Sequence, residues 1–244
     1  MKFLFLSIFL VISLNTLGQQ NLFNIPSGDL TPKGKWFYQH QTNFYQGIVT
    51  ESKNHFVYGL GKGWEAGLNI QNLKVNWQET NGNRFVSNTN NLSEPMQPLV
   101  QFATQKFFQI NDKFKTTLGT QIGVNPIQFS QNPHLTHYTY NTWVYEPTHH
   151  YKLVVGPYIS DRRTIGSGTN VGMMVGFELP IHKKALLMGD WISGTNSASA
   201  GVVGINYYLS KRVQLCLGGL IPNANSGNKS GVVFELNLLG FDDN

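Results

Sequence analysis

The sequence predicts an all-β protein: a single closed antiparallel transmembrane β-barrel of about 12 strands, with short periplasmic turns and longer extracellular loops. Three observations predict this fold. Apolar and polar side chains alternate along most of the chain, short and long connections alternate between the segments, and only 13% of the 244 residues are charged. A soluble domain usually carries about 25% charged residues, so a surface that faces water on all sides is not expected.

The overall composition excludes several functional classes. The net charge of +5 is small and spread along the chain, which gives no basic stripe for nucleic acid. One cysteine excludes an internal disulfide and a cysteine-rich metal site. No glycine-rich phosphate loop lies between a strand and a helix. We therefore expect neither a cofactor nor a nucleic-acid partner.

The first 18 residues have the pattern of a secretory signal peptide. Lys2 gives the positive start, residues 3–14 are mostly apolar, and small residues precede a cleavage position before Gln19. This segment of twelve residues, two of them Ser, is too short to span about 30 Å of hydrocarbon as a helix, so cleavage is expected. The predicted organisation is a signal peptide over residues 1–18, a periplasmic N-terminal arm over 19–34 and an outer-membrane barrel over 35–241.

The mature chain repeats a period-two pattern. In residues 114–124, one face carries Phe114, Leu118 and Ile122, and the other carries Lys115 and Gln121. Such alternation indicates strands with one apolar face and one polar or small face. Twelve segments show it, at about 35–45, 54–61, 64–76, 97–109, 114–125, 137–145, 150–160, 169–180, 185–194, 198–209, 212–222 and 229–241.

The connections between these segments favour a membrane barrel. Every second connection has four residues or fewer, and most of the others are longer. Lipid offers no partner for an unpaired N–H or C=O group, so a sheet that spans a membrane must close on itself. The apolar face then contacts lipid, and the mostly uncharged polar face lines the lumen.

Aromatic residues cluster at the short-turn ends of the segments, where amphipathic rings collect at the lipid headgroups. We predict such a girdle from Trp36, Trp64, Phe107, Phe108, Phe114, Tyr145, Tyr151, Tyr207, Tyr208 and Phe241.

The last segment has the form polar-x-Gly-x-x-apolar-x-apolar over residues 229–236, with Gly231, Phe234 and Leu236 at its fixed positions. The chain resembles Gram-negative outer-membrane β-barrel proteins of the porin-like kind in three features: this last strand, the leader and the alternating segments. The resemblance implies an outer-membrane location, recognition of the last strand by the barrel assembly machinery, and contact with outer-membrane lipid and lipopolysaccharide. The chain departs from the family's usual terminal aromatic, because Phe241 is followed by three further residues.

The strand register places six charged side chains in the lumen: Glu65, Lys115, Lys152, Glu178, Asp190 and Glu235. The first four lie near the short-turn end and are predicted to form one belt of opposed charges. Two interpretations remain open. The belt is either a constriction that selects small polar or charged solutes, or a structural ion-pair network that closes the barrel interior.

Two features are expected at the extracellular mouth. Arg162 and Arg163 follow Asp161 in a long loop, where they attract anions or contact lipopolysaccharide phosphates. Loop 77–96 is rich in Asn, Thr and Ser, and it either folds inward or stays outside.

Signals for catalysis are weak. His40 and His137 are each followed two positions later by Thr rather than Ser. His149 and His150 share a short turn, and strict alternation would put them on opposite faces, so no metal site is expected. The predicted function is a narrow porin-like channel for small polar solutes and not an enzyme. The alternatives are an accessory barrel with a plugged lumen that acts through its outer loops, and a lipid hydrolase at the rim.

Overall fold

The computed structural model describes residues 21–46, 48–80, 84–129 and 133–243. The predicted signal peptide, residues 1–18, lies outside the described residues. Twelve strands form a closed barrel and one short strand, β4, is added to it. The strands are β1 (Trp36–Tyr45), β2 (Val49–Gly61), β3 (Trp64–Asn76), β4 (Phe85–Val86), β5 (Leu99–Gln109), β6 (Phe114–Val124), β7 (Thr136–Thr148), β8 (Tyr151–Ser160), β9 (Val171–His182), β10 (Ala185–Ile192), β11 (Ala200–Ser210), β12 (Val213–Pro222) and β13 (Gly231–Leu239).

The sheet topology is a simple meander that closes on itself. Each barrel strand pairs antiparallel with its neighbours in sequence, and β1 pairs with β13 through contacts such as Phe37 with Leu239. The pairing of β2 with β3 completes the ring. The predicted all-β closed barrel of about 12 strands is confirmed. The main differences are an earlier start of β2, at residue 49, a later end of β7, at residue 148, and the extra two-residue strand β4.

The outer face of the barrel is apolar. On β6, Phe114, Leu118 and Ile122 are exposed, and Lys115 and Thr117 between them are buried in the interior. The same alternation recurs around the sheet, so exposed large apolar side chains cover a surface far beyond the few hundred Å² that a soluble monomer tolerates. A closed sheet with this exterior is suited to hydrocarbon and not to water.

The aromatic girdle is smaller than the sequence suggests. Seven of the ten rings lie exposed on the outer face: Trp36, Trp64, Phe108, Phe114, Tyr145, Tyr151 and Tyr207. Phe107 directly precedes the outward Phe108, and Tyr208 directly follows the outward Tyr207. Consecutive side chains of a strand point to opposite faces, so Phe107 and Tyr208 belong to the inner face. Phe241 is buried against Phe37, Val57 and Leu239, since the chain turns inward after β13.

The described residues contain one α-helix of a single turn, α1 (Arg162–Ile165), and one 3₁₀ turn, Pro126–Gln128. No helix within these residues is long and apolar enough to cross a membrane.

The N-terminal segment lies inside the barrel. Leu22, Phe23 and Ile25 are buried, and they form one apolar cluster with inward residues such as Met174 and Met188. Glycines on the inner wall make room for them. A Cβ atom at Gly176 would lie 2.2 Å from Leu22 Cδ1, and one at Gly218 would lie 2.9 Å from Phe23 Cζ. We call residues 21–31 the inner arm.

Loop 77–96 folds over the extracellular mouth in its second half. Met96 N donates to Arg163 O at 2.7 Å, and Ser167 Oγ donates to Ser93 O at 3.3 Å. Asn72 Nδ2 also donates to Met96 O at 2.9 Å. These contacts join the connection between β3 and β5 to the loop between β8 and β9, so the mouth is narrowed from above.

The inward–outward alternation predicts that an arginine substitution changes the free energy of unfolding differently at an outward and at an inward position of one strand. Leu118 lies near the middle of β6 and is 53% exposed on the outer face. Leu118→Arg should lower the free energy of unfolding by about 2–4 kcal/mol, because it places a charge at mid-membrane depth. Gln121→Arg on the inner face should change it little. Urea titration of the protein folded into lipid vesicles measures both, and equal losses would contradict the assigned faces.

Candidate functional site in the barrel interior

The barrel interior has charged residues at the short-turn end, apolar residues around the inner arm, and a polar cavity at the long-loop end. Asp29 of the inner arm is the centre of the charged layer. It accepts from Lys115 Nζ at 2.8 Å through one carboxylate oxygen and from Lys152 Nζ at 2.5 Å through the other. Both lysines point inward from the barrel wall and are buried. The arm is therefore bound to β6 and β8 by two buried ion pairs.

Two wall carboxylates complete this layer. Lys152 Nζ lies 3.1 Å from Glu178 Oε2, and Lys115 Nζ lies 2.5 Å from Glu146 Oε2. Each lysine therefore contacts Asp29 and one further carboxylate. We call Asp29, Glu65, Lys115, Glu146, Lys152 and Glu178 the charged floor.

Glu65 binds the arm through uncharged groups. Its Oε2 accepts from Thr31 N at 2.8 Å, and its Oε1 accepts from Gln105 Nε2 at 2.8 Å. Gln105 Nε2 also donates to the backbone carbonyl of Asp29 at 2.8 Å, and its Oε1 accepts from Tyr140 Oη at 3.0 Å. The arm backbone is thus fixed to β3 and β5, and Tyr140 of β7 holds the Gln105 side chain in place.

The ionised form of Asp29 is favoured by its partners. Burial by itself would raise the pKa of Asp29, but the ammonium groups of Lys115 and Lys152 hold that pKa below its ordinary value. Ionic hydrogen bonds of this kind stabilise the charged form. Removal of Asp29 leaves each buried lysine with a single carboxylate partner, which is costly.

The two remaining lumen charges lie apart from the floor. Asp190 Oδ2 accepts from Asn24 N and, at 3.1 Å, from Ile25 N, so it anchors the arm a second time. Glu235 is buried between its cross-strand neighbours Gln41 and Cys216. The structure therefore brings Glu65, Lys115, Lys152 and Glu178 together and places Asp190 and Glu235 elsewhere in the lumen.

Sequence reasoning missed two members of the charged floor. Asp29 lies in the arm, where the chain has no alternation from which a register can be assigned. Glu146 lies in β7, which continues past the predicted end near residue 145. No pattern in the sequence marks either residue, because the four lumen charges expected near the short-turn end already balance as two lysines and two carboxylates.

Below the charged floor, a short turn and the C-terminal segment meet at the periplasmic mouth. His150 has a left-handed backbone, with a φ of 65°, and its ring lies against that of His149 with centroids 3.7 Å apart and a tilt of 34° between the planes. Alternation does not hold across this turn, so the two rings are not on opposite faces. Possible ligand atoms of His149, His150 and Asp243 all lie within 4.8 Å of one another.

These three groups have perturbed acidities. The hydrogen bond with Glu146 raises the pKa of His149, whereas burial, with the charges of His149 and Lys152, lowers the pKa of His150 to about 4. Burial raises the pKa of Asp243 to about 7.

The long-loop end holds a cavity of about 660 Å³, which we call the outer vestibule. Asn24 of the inner arm is part of its lining. Its charged lining residues are Glu51, Lys53, Lys74, Glu94 and Lys229. Lys74 Nζ lies 4.0 Å from Glu51 and 3.9 Å from Glu94, and Lys53 Nζ donates to Asn24 Oδ1 at 3.3 Å.

The two arginines of the mouth lie beside this cavity. Asp161 caps α1 by accepting from Arg163 N at 2.7 Å and Thr164 N at 3.0 Å. Thr164 and Ile165 line the vestibule, whereas Arg162 and Arg163 are not among its lining residues. Arg162 is exposed.

The outer face of β1 and β2 carries a second polar constellation. His40 Nδ1 lies 2.9 Å from Asn54 Oδ1, and His40 Nε2 lies 3.0 Å from Thr42 Oγ1. Tyr38 Oη also donates to Asn54 Oδ1 at 2.8 Å. His40 and Thr42 share the face of the exposed rings Trp36 and Phe44, so this hydrogen-bonded chain faces lipid.

No protein-family model matches the chain, and no curated protein matches it in sequence. Among solved structures, the chain is similar to the KdgM porin in complex with disordered oligogalacturonate, with a TM-score of 0.53, 8% identity, and coverage of 85% of this chain and 98% of that one. The fold is that of an outer-membrane β-barrel.

Two further solved structures are similar at lower scores. They are outer membrane phospholipase A from Escherichia coli, with a TM-score of 0.44, 11% identity and coverage of 88% and 94%, and a triple mutant of the Rh. blastica porin, with a TM-score of 0.31, 7% identity and coverage of 84% and 98%. The closed antiparallel barrel with its apolar outer belt is the architecture of a membrane-spanning β-barrel.

The charged floor predicts a large stability effect at Asp29. Asp29→Asn should lower the free energy of unfolding by about 3–5 kcal/mol, because two buried lysines lose a common counter-ion. Asp242→Asn is the matched control, since Asp242 pairs with Arg212 on the exposed surface at the same end of the barrel, and it should cause no measurable loss. Equal stabilities of the two variants in urea unfolding would contradict the assignment of Asp29 as the anchor.

Proposed function

We propose that the protein is a porin-like barrel that admits small polar solutes into the outer vestibule and that its inner arm closes the path to the periplasm. The observation that carries the proposal is the placement of a polar cavity directly above an arm that is anchored by buried charges. The two interpretations of the charge belt then combine. The belt closes the lumen at rest, and it sets which charges meet a solute when the arm is displaced.

The vestibule chemistry supports solute binding. Its wall offers amides, hydroxyls and both signs of charge, and loop 77–96 and α1 border its opening. A concave site with a small number of convergent polar groups is typical of small-molecule binding. The KdgM porin, which has the same kind of fold, is described in complex with oligogalacturonate, and this favours a polar oligomeric or small solute for the present vestibule.

The barrel dimensions support closure by the arm. Eight strands leave an interior filled by side chains, and 16–18 strands leave an aqueous channel. Twelve strands enclose more space than the wall side chains fill, and Leu22, Phe23 and Ile25 occupy that space in the middle of the lumen. An apolar cluster at mid-height excludes water and ions, so passage requires the arm to move.

Conductance in planar bilayers tests the closure. The wild-type protein should give few and small current steps, and a variant lacking residues 21–31 should give larger discrete steps. A second variant, Phe23→Ser with Ile25→Ser, keeps the chain length and should raise the conductance in the same direction. Folding of each variant is checked by heat-dependent electrophoretic mobility. Wild-type steps as large as those of the deletion variant would show that the arm does not close the lumen.

A second function is favoured by the chain of hydrogen bonds on the lipid-facing surface. Polar and ionisable groups that face hydrocarbon are costly and usually mark a functional site. Thr42, His40 and Asn54 have the order of nucleophile, base and orienting group, at hydrogen-bond distances. Asn54 accepts the proton of Nδ1, which leaves Nε2 to accept from Thr42. We propose that this group hydrolyses ester bonds of membrane lipids.

The reaction balances with water as co-reactant. Thr42 Oγ1 attacks the ester carbonyl carbon and its proton passes to His40 Nε2, after which the C–O bond breaks and His40 protonates the leaving alcohol. Water then attacks the acyl-threonine, gives its proton to His40, and releases the fatty acid as Thr42 recovers its proton. Ser52 lies across from Thr42 in the β1–β2 pairing and therefore shares its outer face.

A lipase assay in mixed micelles of phospholipid and detergent tests this second function. Thr42→Ala and His40→Ala should each abolish release of fatty acid, and Asn54→Ala should reduce it. Thr139→Ala is the matched control, because Thr139 has the same spacing from His137 but its hydroxyl lies 2.9 Å from that of Thr120. Absence of wild-type activity, or activity that survives in Thr42→Ala, would remove the hydrolase function.

A further inference from the structure

We propose that His149, His150 and Asp243 bind one Zn²⁺ ion that links the β7–β8 turn to the segment after β13 at the periplasmic mouth of the barrel. The candidate ligand atoms of these residues lie within 4.8 Å of one another. Two imidazoles and one carboxylate are a common three-residue zinc set, with a fourth position for water. In a tetrahedral site the ligand atoms would be roughly 3.3 Å apart, so side-chain rotation brings them to the metal without movement of the strands.

The carboxylate provides the observation that points to a ligand. Asp243 is only 6% exposed. Its Oδ2 accepts from Gln214 Nε2 at 2.7 Å, whereas its Oδ1 is buried with no hydrogen-bond partner among the described residues. A buried carboxylate oxygen without a partner is costly, and a cation bound by the neighbouring imidazoles removes this cost. The backbone at Asp243 is fixed as well, since its N–H donates to Lys211 O at 2.8 Å.

The histidines are oriented by outer groups, as metal-binding imidazoles usually are. Glu146 Oε1 lies 3.6 Å from His149 Nδ1, which leaves Nε2 of that ring for the ion. Glu146 Oε1 also accepts from His150 N at 3.4 Å, so it holds the turn itself. His150 Nε2 lies 3.4 Å from Tyr208 Oη. The site is therefore linked through Glu146 to Lys115 and the charged floor.

The position in the fold gives the ion a structural role. His149 and His150 form the turn between β7 and β8, and Asp243 follows β13 and is held by the turn between β11 and β12. Strands β9 and β10 separate β8 from β11 in the sheet. One ion at this point joins parts of the rim that are not neighbours, and it would hold the mouth below the inner arm closed.

Zinc binding to the folded protein tests the site. The mature protein is prepared in detergent micelles without a polyhistidine tag, treated with a chelator and titrated with ZnCl₂ in a calorimeter. We expect one Zn²⁺ per barrel, and no binding of Ca²⁺ or Mg²⁺, which prefer all-oxygen sites. His149→Ala and Asp243→Asn should each weaken Zn²⁺ binding by more than about tenfold. His182→Ala, a change at the exposed end of β9 beside another short turn, is the matched control and should leave the affinity unchanged.

Thermal unfolding gives an independent readout. ZnCl₂ should raise the unfolding temperature of the wild-type protein and of His182→Ala, because the ion binds the folded state, and it should not raise that of His149→Ala. His149 lies in an exposed turn, so this variant tests the site even if Asp243→Asn folds poorly. No stoichiometric zinc binding, or equal affinity in the wild-type protein, His149→Ala and His182→Ala, would overturn the proposal and leave only surface binding by scattered histidines.

Discussion

The requirement that buried charges be paired organises the interior of this barrel. Lys115 and Lys152 point into a space with little water, and an ammonium group there needs a counter-ion within hydrogen-bond distance. Wall carboxylates alone would leave the middle of the lumen empty. Asp29 meets both lysines at once, and because it belongs to the N-terminal segment, it draws that segment into the lumen. These two ion pairs, together with the hydrogen bonds of the arm backbone to Asp190 and Glu65, fix the inner arm and the apolar cluster above the floor.

The membrane determines how much of the fold can be predicted from the sequence. Lipid outside and polar groups inside impose a period of two on each spanning strand, so the strands, their inward charges such as Glu178 and the closure of the sheet follow from the pattern. This period-two alternation applies only within the strands and not in the turns or terminal segments. The rings of His149 and His150 are in contact because His150 adopts a left-handed backbone in a turn, and Phe241 turns inward after β13. No periodicity describes these places.

The candidate sites also contain residues that strand alternation predicts and residues that it does not. Glu65, Lys115, Lys152 and Glu178 could be placed in one layer from their register, but their most important partner lies in a segment without alternation. The hydrogen-bonded group on the outer face was visible in part, since the spacing of His40 and Thr42 is local. Its third member, Asn54, lies on the next strand, and the pairing of β1 with β2 that brings it opposite His40 is a long-range contact. Sequence spacing alone does not specify cross-strand partners.

Closure of the lumen depends most directly on the inner arm lying inside it, and nuclear magnetic resonance of the protein in lipid nanodiscs measures the position of the arm. Methyl groups of Leu22 and Ile25 should show cross-relaxation to the Gly176 Hα protons, because both side chains approach that glycine in the structure. The amides of Asn24 and Ile25, which donate to Asp190, should exchange slowly with solvent. Sharp arm signals at random-coil shifts, with fast amide exchange and no contact to Gly176, would contradict the account.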